Sequence, residues 1–234
     1  MKLIALDAAT EACSVALLID GAVIERYEIA PRRHAELLLP MMEALLNEAD
    51  LRLGQMDALA FGRGPGAFTG LRLAAGVAQG LAFGADLPVV PLSTLAALAQ
   101  GMYRDQGSER VLAGIDARMA EVYWGAYRLD AEGYMALVGE ECVCAPEEVL
   151  VPDEAGWTGA GTAWQSYEAI LTGRLKACLS AFHGRRYPRA RDIAVLAEQA
   201  YAHGKMVSAE EALPVYLRDN VANRPEAGKG DKRL

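Results

Sequence analysis

Residues 62–84 read GRGPGAFTGLRLAAGVAQGLAFG, and this stretch decides the class of fold. A short apolar segment, Met56 to Phe61, runs into a glycine-rich turn, and the turn runs into a helix that is apolar on nearly every side. Strand, tight turn and helix in succession form the unit from which α/β domains are built. Arg72 and Gln79 are the only polar side chains between Gly70 and Gly84. Gly76 and Gly80 fall inside the helix, where each costs roughly 1 kcal/mol relative to alanine. That cost is tolerated where a second backbone must come close. Two rows of small residues run at four-residue spacing: Gly70, Ala74, Ala78 and Ala82 in one, and Gly76, Gly80 and Gly84 in the other. One row can pack on the chain's own sheet. Thr69 is the expected N-cap.

The turn fits no nucleotide-binding template. No Lys-Ser/Thr pair stands at the P-loop spacing after its glycines. Gly62-x-Gly64-x-x-Ala67 nominally matches a dinucleotide fingerprint. However, Pro65 lacks an N–H, and no acidic residue ends a strand about 20 residues on.

Upstream, Leu3–Leu6 and Cys13–Ile19 read as strands, Asp20-Gly21 as a hairpin turn, and Ala22–Ile29 as a third strand. A helix is expected from about His34 to Ala49, with Pro40 starting its regular part near Leu39 or kinking it. Its apolar stripe is wider than one core contact requires. Two such helices side by side would make an exposed apolar patch, and such patches mark partner sites.

Downstream, Pro88–Pro91 reads as a strand, with Ser93 capping a helix through Ala99. The pattern then restarts. Val111–Ile115 is a strand followed by Asp116-Ala117, as Leu3–Leu6 is followed by Asp7-Ala8, and Thr158-Gly159-Ala160-Gly161 stands where the glycine turn stood. This points to an internal duplication. The expected lobes are residues 1–105 and 106–218. A last helix, Ile193–His203 behind an Asp192 cap, can join either lobe. Residues 219–234 are polar and contain glycine and proline, and are expected to be disordered.

Composition narrows the function. The chain has 234 residues, 53% of them apolar, and no run long enough to cross a bilayer. Its start shows no signal-peptide pattern, and its four cysteines show no CxxC, which reads as reduced thiols in the cytoplasm. A net charge of −8 argues against free-standing nucleic-acid binding. The six basic residues of Arg174–Arg191, without an acid among them, leave Arg185 and Arg186 as candidate contacts to RNA or an acidic partner. Asp7, Thr10 and Asp116 are candidate phosphate-loop residues. In one class of phosphotransferase an aspartate at that point orders a metal–phosphate complex. An ordinary turn aspartate bonded to its own backbone reads the same way. His34, His183 and His203 share no face, and no catalytic or metal residue is assigned.

The runs Ile4-Ala5-Leu6-Asp7, Cys13–Leu17, Gly62-Arg63-Gly64-Pro65-Gly66-x-Phe68-Thr69-Gly70-Leu71-Arg72, Ile115–Tyr123 and Pro214-Val215-Tyr216-Leu217-Arg218 resemble the TsaB (YeaZ) family of tRNA threonylcarbamoyladenosine biosynthesis proteins. The resemblance spans residues 3 to 218 in order. It implies an actin/Hsp70/sugar-kinase-like (ASKHA) α/β fold of two related lobes, each a mixed sheet with helices. It further implies a non-catalytic subunit supporting the transferase TsaD in forming threonylcarbamoyladenosine at tRNA position 37. ATP and metal are then used by partner subunits, TsaE among them, with tRNA met only through the complex, and the isolated chain pairs with itself. In TsaD-like chains a His-x-x-x-His metal pair follows the loop and helix. Here those positions fall near Thr94 and Leu98, which cannot replace imidazole. The expected docking surface comprises Leu38, Met41, Met42 and Leu45 of the first helix, with Leu71, Ala74, Ala75, Ala78 and Ala82 of the glycine-led one. The alternative is an active ATP-dependent phosphotransferase of the same fold.

Overall fold

The computed structural model describes residues 1–218. The expectation of a disordered tail concerns residues 219–234, which lie outside the described residues. The first half of the chain supplies β1 (Lys2–Asp7), β2 (Ala12–Ile19), β3 (Ala22–Ile29), α1 (His34–Glu48), β4 (Ala58–Gly64), α2 (Phe68–Ala85), β5 (Val89–Ser93) and α3 (Thr94–Gln106). The second supplies β6 (Arg110–Arg118), β7 (Glu121–Leu129), β8 (Met135–Cys144), β9 (Trp157–Ala160), α4 (Thr162–Ser166), α5 (Glu168–Arg174), β10 (Leu179–His183) and α6 (Ala190–Ala202).

The duplication is a topological fact. One sheet runs β3-β2-β1-β4-β5 and the other β8-β7-β6-β9-β10. In each, three strands form an antiparallel meander and two more add in parallel, as in the pairs Ala5↔Ala60 and Ala113↔Ala160. Asp20 and Gly21 both have positive φ, 48° and 84°. That is the geometry a two-residue hairpin demands.

β1 reads as continuously apolar because both of its faces are covered. Ile4 and Leu6 join Phe61, Leu38, Leu45 and Ala78 beneath α1 and α2. Leu3 and Ala5 join Ala58, Ala60, Ile193, Ala194 and Ala197 of α6. The last helix thus packs on the first sheet, although the second half of the chain carries it. Reciprocally, Leu95, Leu98, Ala99 and Met102 of α3 cover the second sheet at Val111, Ala113 and Tyr127. The two exchanged helices are latched by Arg104, which donates from Nε and Nη2 to the two carboxylate oxygens of Asp192, at 2.8 and 3.1 Å.

Three local expectations change. α1 runs unbroken from His34, with Pro40 inside it on the exposed side. α2 begins at Phe68 after Ala67, so Thr69 lies within the first turn and caps nothing. α6 begins at Ala190, and Asp192 is inside it because its carboxylate is drawn inward to Arg104. Ser93 does cap α3, its hydroxyl accepting from the N–H groups of Leu95 and Ala96 at 3.1 and 3.2 Å.

Candidate functional site

The small-residue rows of α2 face opposite ways. Gly70, Ala74, Ala78 and Ala82 are buried against the chain's own sheet, with Leu71 and Ala75 beside them. Leu38, Met42 and Leu45 of α1 are buried in the same cluster, and Met41 is partly buried against it. These nine residues were the expected docking surface. Eight of them are inside the monomer, because a mixed sheet with helices on both faces needs an apolar stripe from each helix. The residues available to a neighbour lie on the other side of the same helices.

That outer face carries Gly76, Gly80 and Gly84, all exposed, flanked by the partly buried Leu73, Val77 and Leu81. Phe83 stands 77% exposed between two of the glycines, and Leu39 of α1 is 47% exposed. A Cβ placed on any of the three glycines would meet nothing within 4 Å. The chain's own packing therefore does not require glycine there. Leu39 is one of the residues that widen the apolar stripe of the first helix in the sequence, although it was not among the nine expected docking residues; Phe83 was not picked out. Phe83 could have been, since it stands three residues after Gly80 and so beside the glycine row.

Between the lobes lies a cleft of about 1090 Å³. Thr10 and Glu11 line it from the first lobe, Asp116, Arg118, Thr162 and Ser166 from the second. The structure brings Thr10 and Asp116 to one cleft and leaves Asp7 out of it. Thr10 is nearly buried, its hydroxyl accepting from Ala12 N–H at 3.4 Å. Asp116 accepts from Arg118 N–H at 2.8 Å and from the Ser166 hydroxyl at 2.9 Å, while its own N–H donates to the Thr162 hydroxyl at 3.0 Å. Its oxygens serve the turn rather than a ligand. Asp7 is fully buried: one oxygen accepts from Ala9 N–H at 3.2 Å and the other has no partner. Burial pushes its carboxyl up to about 7. The Ala9 bond is that of a turn aspartate held by its own backbone, the second of the two readings of this position. Among the described residues no cluster of three or more His, Cys, Asp or Glu could hold a metal ion. Thr94 and Leu98 are themselves buried.

The C-terminal run closes one end of the cleft. Val215 N–H donates to Arg63 O at 2.7 Å. Arg72 lies over the Phe68 ring, 3.7 Å from its centroid, and donates to the Tyr216 hydroxyl at 3.0 Å. Arg218 reaches the second lobe, donating to Ala117 O at 3.1 Å and pairing with Glu121. Half of the six basic side chains of this stretch are engaged internally. Arg186 pairs with Asp105 at 2.9 Å, Arg189 donates to Glu25 at 3.0 Å, and Arg174 donates to Val149 O at 2.7 Å. Arg185 is exposed. Arg186 thus ties α3 to the approach to α6 while staying partly exposed.

The sequence is 44% identical to the "tRNA threonylcarbamoyladenosine biosynthesis protein TsaB" of Escherichia coli (strain K12), over 98% of this chain and 100% of that one. The chain belongs to the TsaB (YeaZ) family. A Haemophilus influenzae TsaB is 42% identical over 98% of each chain. The solved structure of YeaZ from Pseudomonas aeruginosa superposes with a TM-score of 0.87 at 54% identity, covering 92% of this chain and 99% of that one. The family described as "TsaD: tRNA N6-adenosine threonylcarbamoyltransferase" matches residues 27–226. The two duplicated lobes are the ASKHA-like fold, and membership of the TsaB family places the chain in tRNA threonylcarbamoyladenosine biosynthesis. Among the described residues no helix is long and apolar enough to cross a membrane.

Proposed function

We propose that this chain is a non-catalytic cytoplasmic subunit that docks on a TsaD-type transferase and holds it in a competent arrangement. The observation that carries this reading is the Gly76–Gly80–Gly84 row. Three exposed glycines in one helix cost roughly 1 kcal/mol each, and nothing among the described residues packs against them. A second helix lying across the row, with Phe83 beside it, gives them a reason. Small residues let backbones approach closely, and apolar rims exclude water around the contact. In isolation the same face would serve a second copy of the chain. The partner then brings metal and catalysis, TsaE consumes ATP, and tRNA is engaged by the complex. The phosphotransferase alternative draws no support from the cleft, where Asp7 is sealed off and Asp116 is committed to its own turn.

Gly80→Arg tests the docking face. The Cβ has room in the monomer, so the variant should fold with an unchanged spectrum. It should fail to co-purify with the transferase and fail to restore tRNA modification. Unchanged co-purification together with unchanged modification would sink the proposal.

A further inference from the structure

Cys142 and Cys144 stand at the end of β8, the outermost strand of the second sheet. Residues two apart in a strand share a face, and here the two sulfurs are 3.9 Å apart. Both are only partly buried, whereas Cys13 and Cys178 are buried. They lie opposite Trp124 and Val122 of β7, at the border of the core that contains Trp164 and Val149. The pair is therefore within reach of small solutes and held in mutual reach by the sheet.

We propose that Cys142 and Cys144 form a site of reversible oxidation, closing to an intrachain disulfide when a peroxide reaches the strand. The thiolate of one cysteine attacks a peroxide oxygen. The O–O bond breaks, a sulfenic acid forms, and the departing hydroxide takes up a proton as water. The sulfur of the second cysteine then attacks the sulfenic sulfur, the S–O bond breaks, and a second water leaves. Two thiols have lost two electrons and two protons, and one peroxide has become two waters. The neighbour's S–H can donate to the nascent thiolate, which brings Cys142 down to about 7 against the opposing effects of partial burial and of Glu141. Cys144 is raised in turn. Thiolate fraction and exposure are what select a cysteine for oxidation. Burial instead pushes the Cys13 thiol up to about 12.

The bridge would work on the strand. The sulfurs must close from 3.9 Å to about 2.05 Å. Alternate residues of a strand lie about 6.6 Å apart, near the long limit of about 6.8 Å for a bridged pair. β8 must shorten at that end, and strained bridges are readily reduced. Next to the pair stands Glu141, which accepts from the hydroxyls of Ser93 and Tyr127. Ser93 caps α3. Oxidation would thus pull on the point where α3 is anchored to the second sheet.

The full chain, treated with hydrogen peroxide, alkylated and mapped by mass spectrometry, tests this. The expected result is a fall from four titratable thiols to two, a linked Cys142–Cys144 peptide, and full recovery with dithiothreitol. Cys142→Ser should slow peroxide consumption at least ten-fold. Cys144→Ser should leave a sulfenic acid on Cys142 that dimedone traps. Four thiols remaining, a bridge that includes Cys13 or Cys178, or two chains linked together would each overturn the proposal.

Discussion

Two sets of glycines lie along one stretch and answer to different neighbours. At Gly62 an added Cβ would sit 2.0 Å from an Asp7 carboxylate oxygen, at Gly66 2.4 Å from Ala9 O, and at Gly70 1.9 Å from Ala8 O. These glycines exist because the chain's own first turn presses against them. At Gly76, Gly80 and Gly84 the same Cβ finds open space. Both sets look alike on paper. The first fixes the fold, whereas the second meets no neighbour among the described residues.

The comparison breaks first if the inner set tolerates a methyl group. Gly70→Ala drives a Cβ into a backbone carbonyl that cannot rotate away, and should cost about 3 kcal/mol or more. That corresponds to a fall in melting temperature of roughly 6–12 °C for a chain of this size. A melt within a degree or two of wild type would remove the close-packed reading of the turn.

Asp7, the neighbour of Gly62, gives a test by pH. Its folded value of about 7 lies above the ordinary aspartate value of 3.8. The folded chain therefore keeps a proton that the unfolded chain has released. Stability from this group is full below about pH 4, declines as pH rises to about 7, and is level above, with a total span on the order of 4 kcal/mol. Asp7→Asn should remove that decline, so chemical denaturation of the two proteins should diverge in slope between those limits. Parallel curves would mean that Asp7 is not held protonated.

The outer set should behave in the opposite sense. Gly80→Ala should stabilise the isolated chain by about 0.5–1 kcal/mol through helix propensity, while weakening association with the transferase at least ten-fold. A stabilised monomer with unchanged association would leave the row without a partner role. The smallest effect belongs to Arg185, whose side chain is exposed. Arg185→Glu should change stability by less than about 0.5 kcal/mol, whereas Arg186→Glu should cost about 1 kcal/mol by losing the Asp105 pair.

Much of this architecture is legible in the sequence, and the misses have physical causes. Apolar runs, the Asp20-Gly21 turn and the repeated strand–Asp-Ala pattern carry local information, and each is matched by an observed strand, hairpin or sheet order. Periodicity also separates the two rows of α2 but cannot say which faces the sheet. Composition could have said so. Alanine carries a Cβ that fills a core, as Ala74, Ala78 and Ala82 do, and a row of pure glycine fills nothing. Asp192 reads as a cap because its partner Arg104 lies 88 residues away in sequence. The basic stretch reads as a free surface for the same reason, since Asp105 and Glu25 are far from Arg186 and Arg189 along the chain.

The exchange of α3 and α6 has a consequence for how the chain can be divided. A cut after Gln106 would leave the first sheet without α6 and the second without α3, each with one bare apolar face. The Arg104–Asp192 latch would also be severed, and an unpartnered buried aspartate is costly. The lobes are therefore halves by ancestry and not autonomous domains. They should melt in one cooperative transition, and neither should be soluble when expressed without the other.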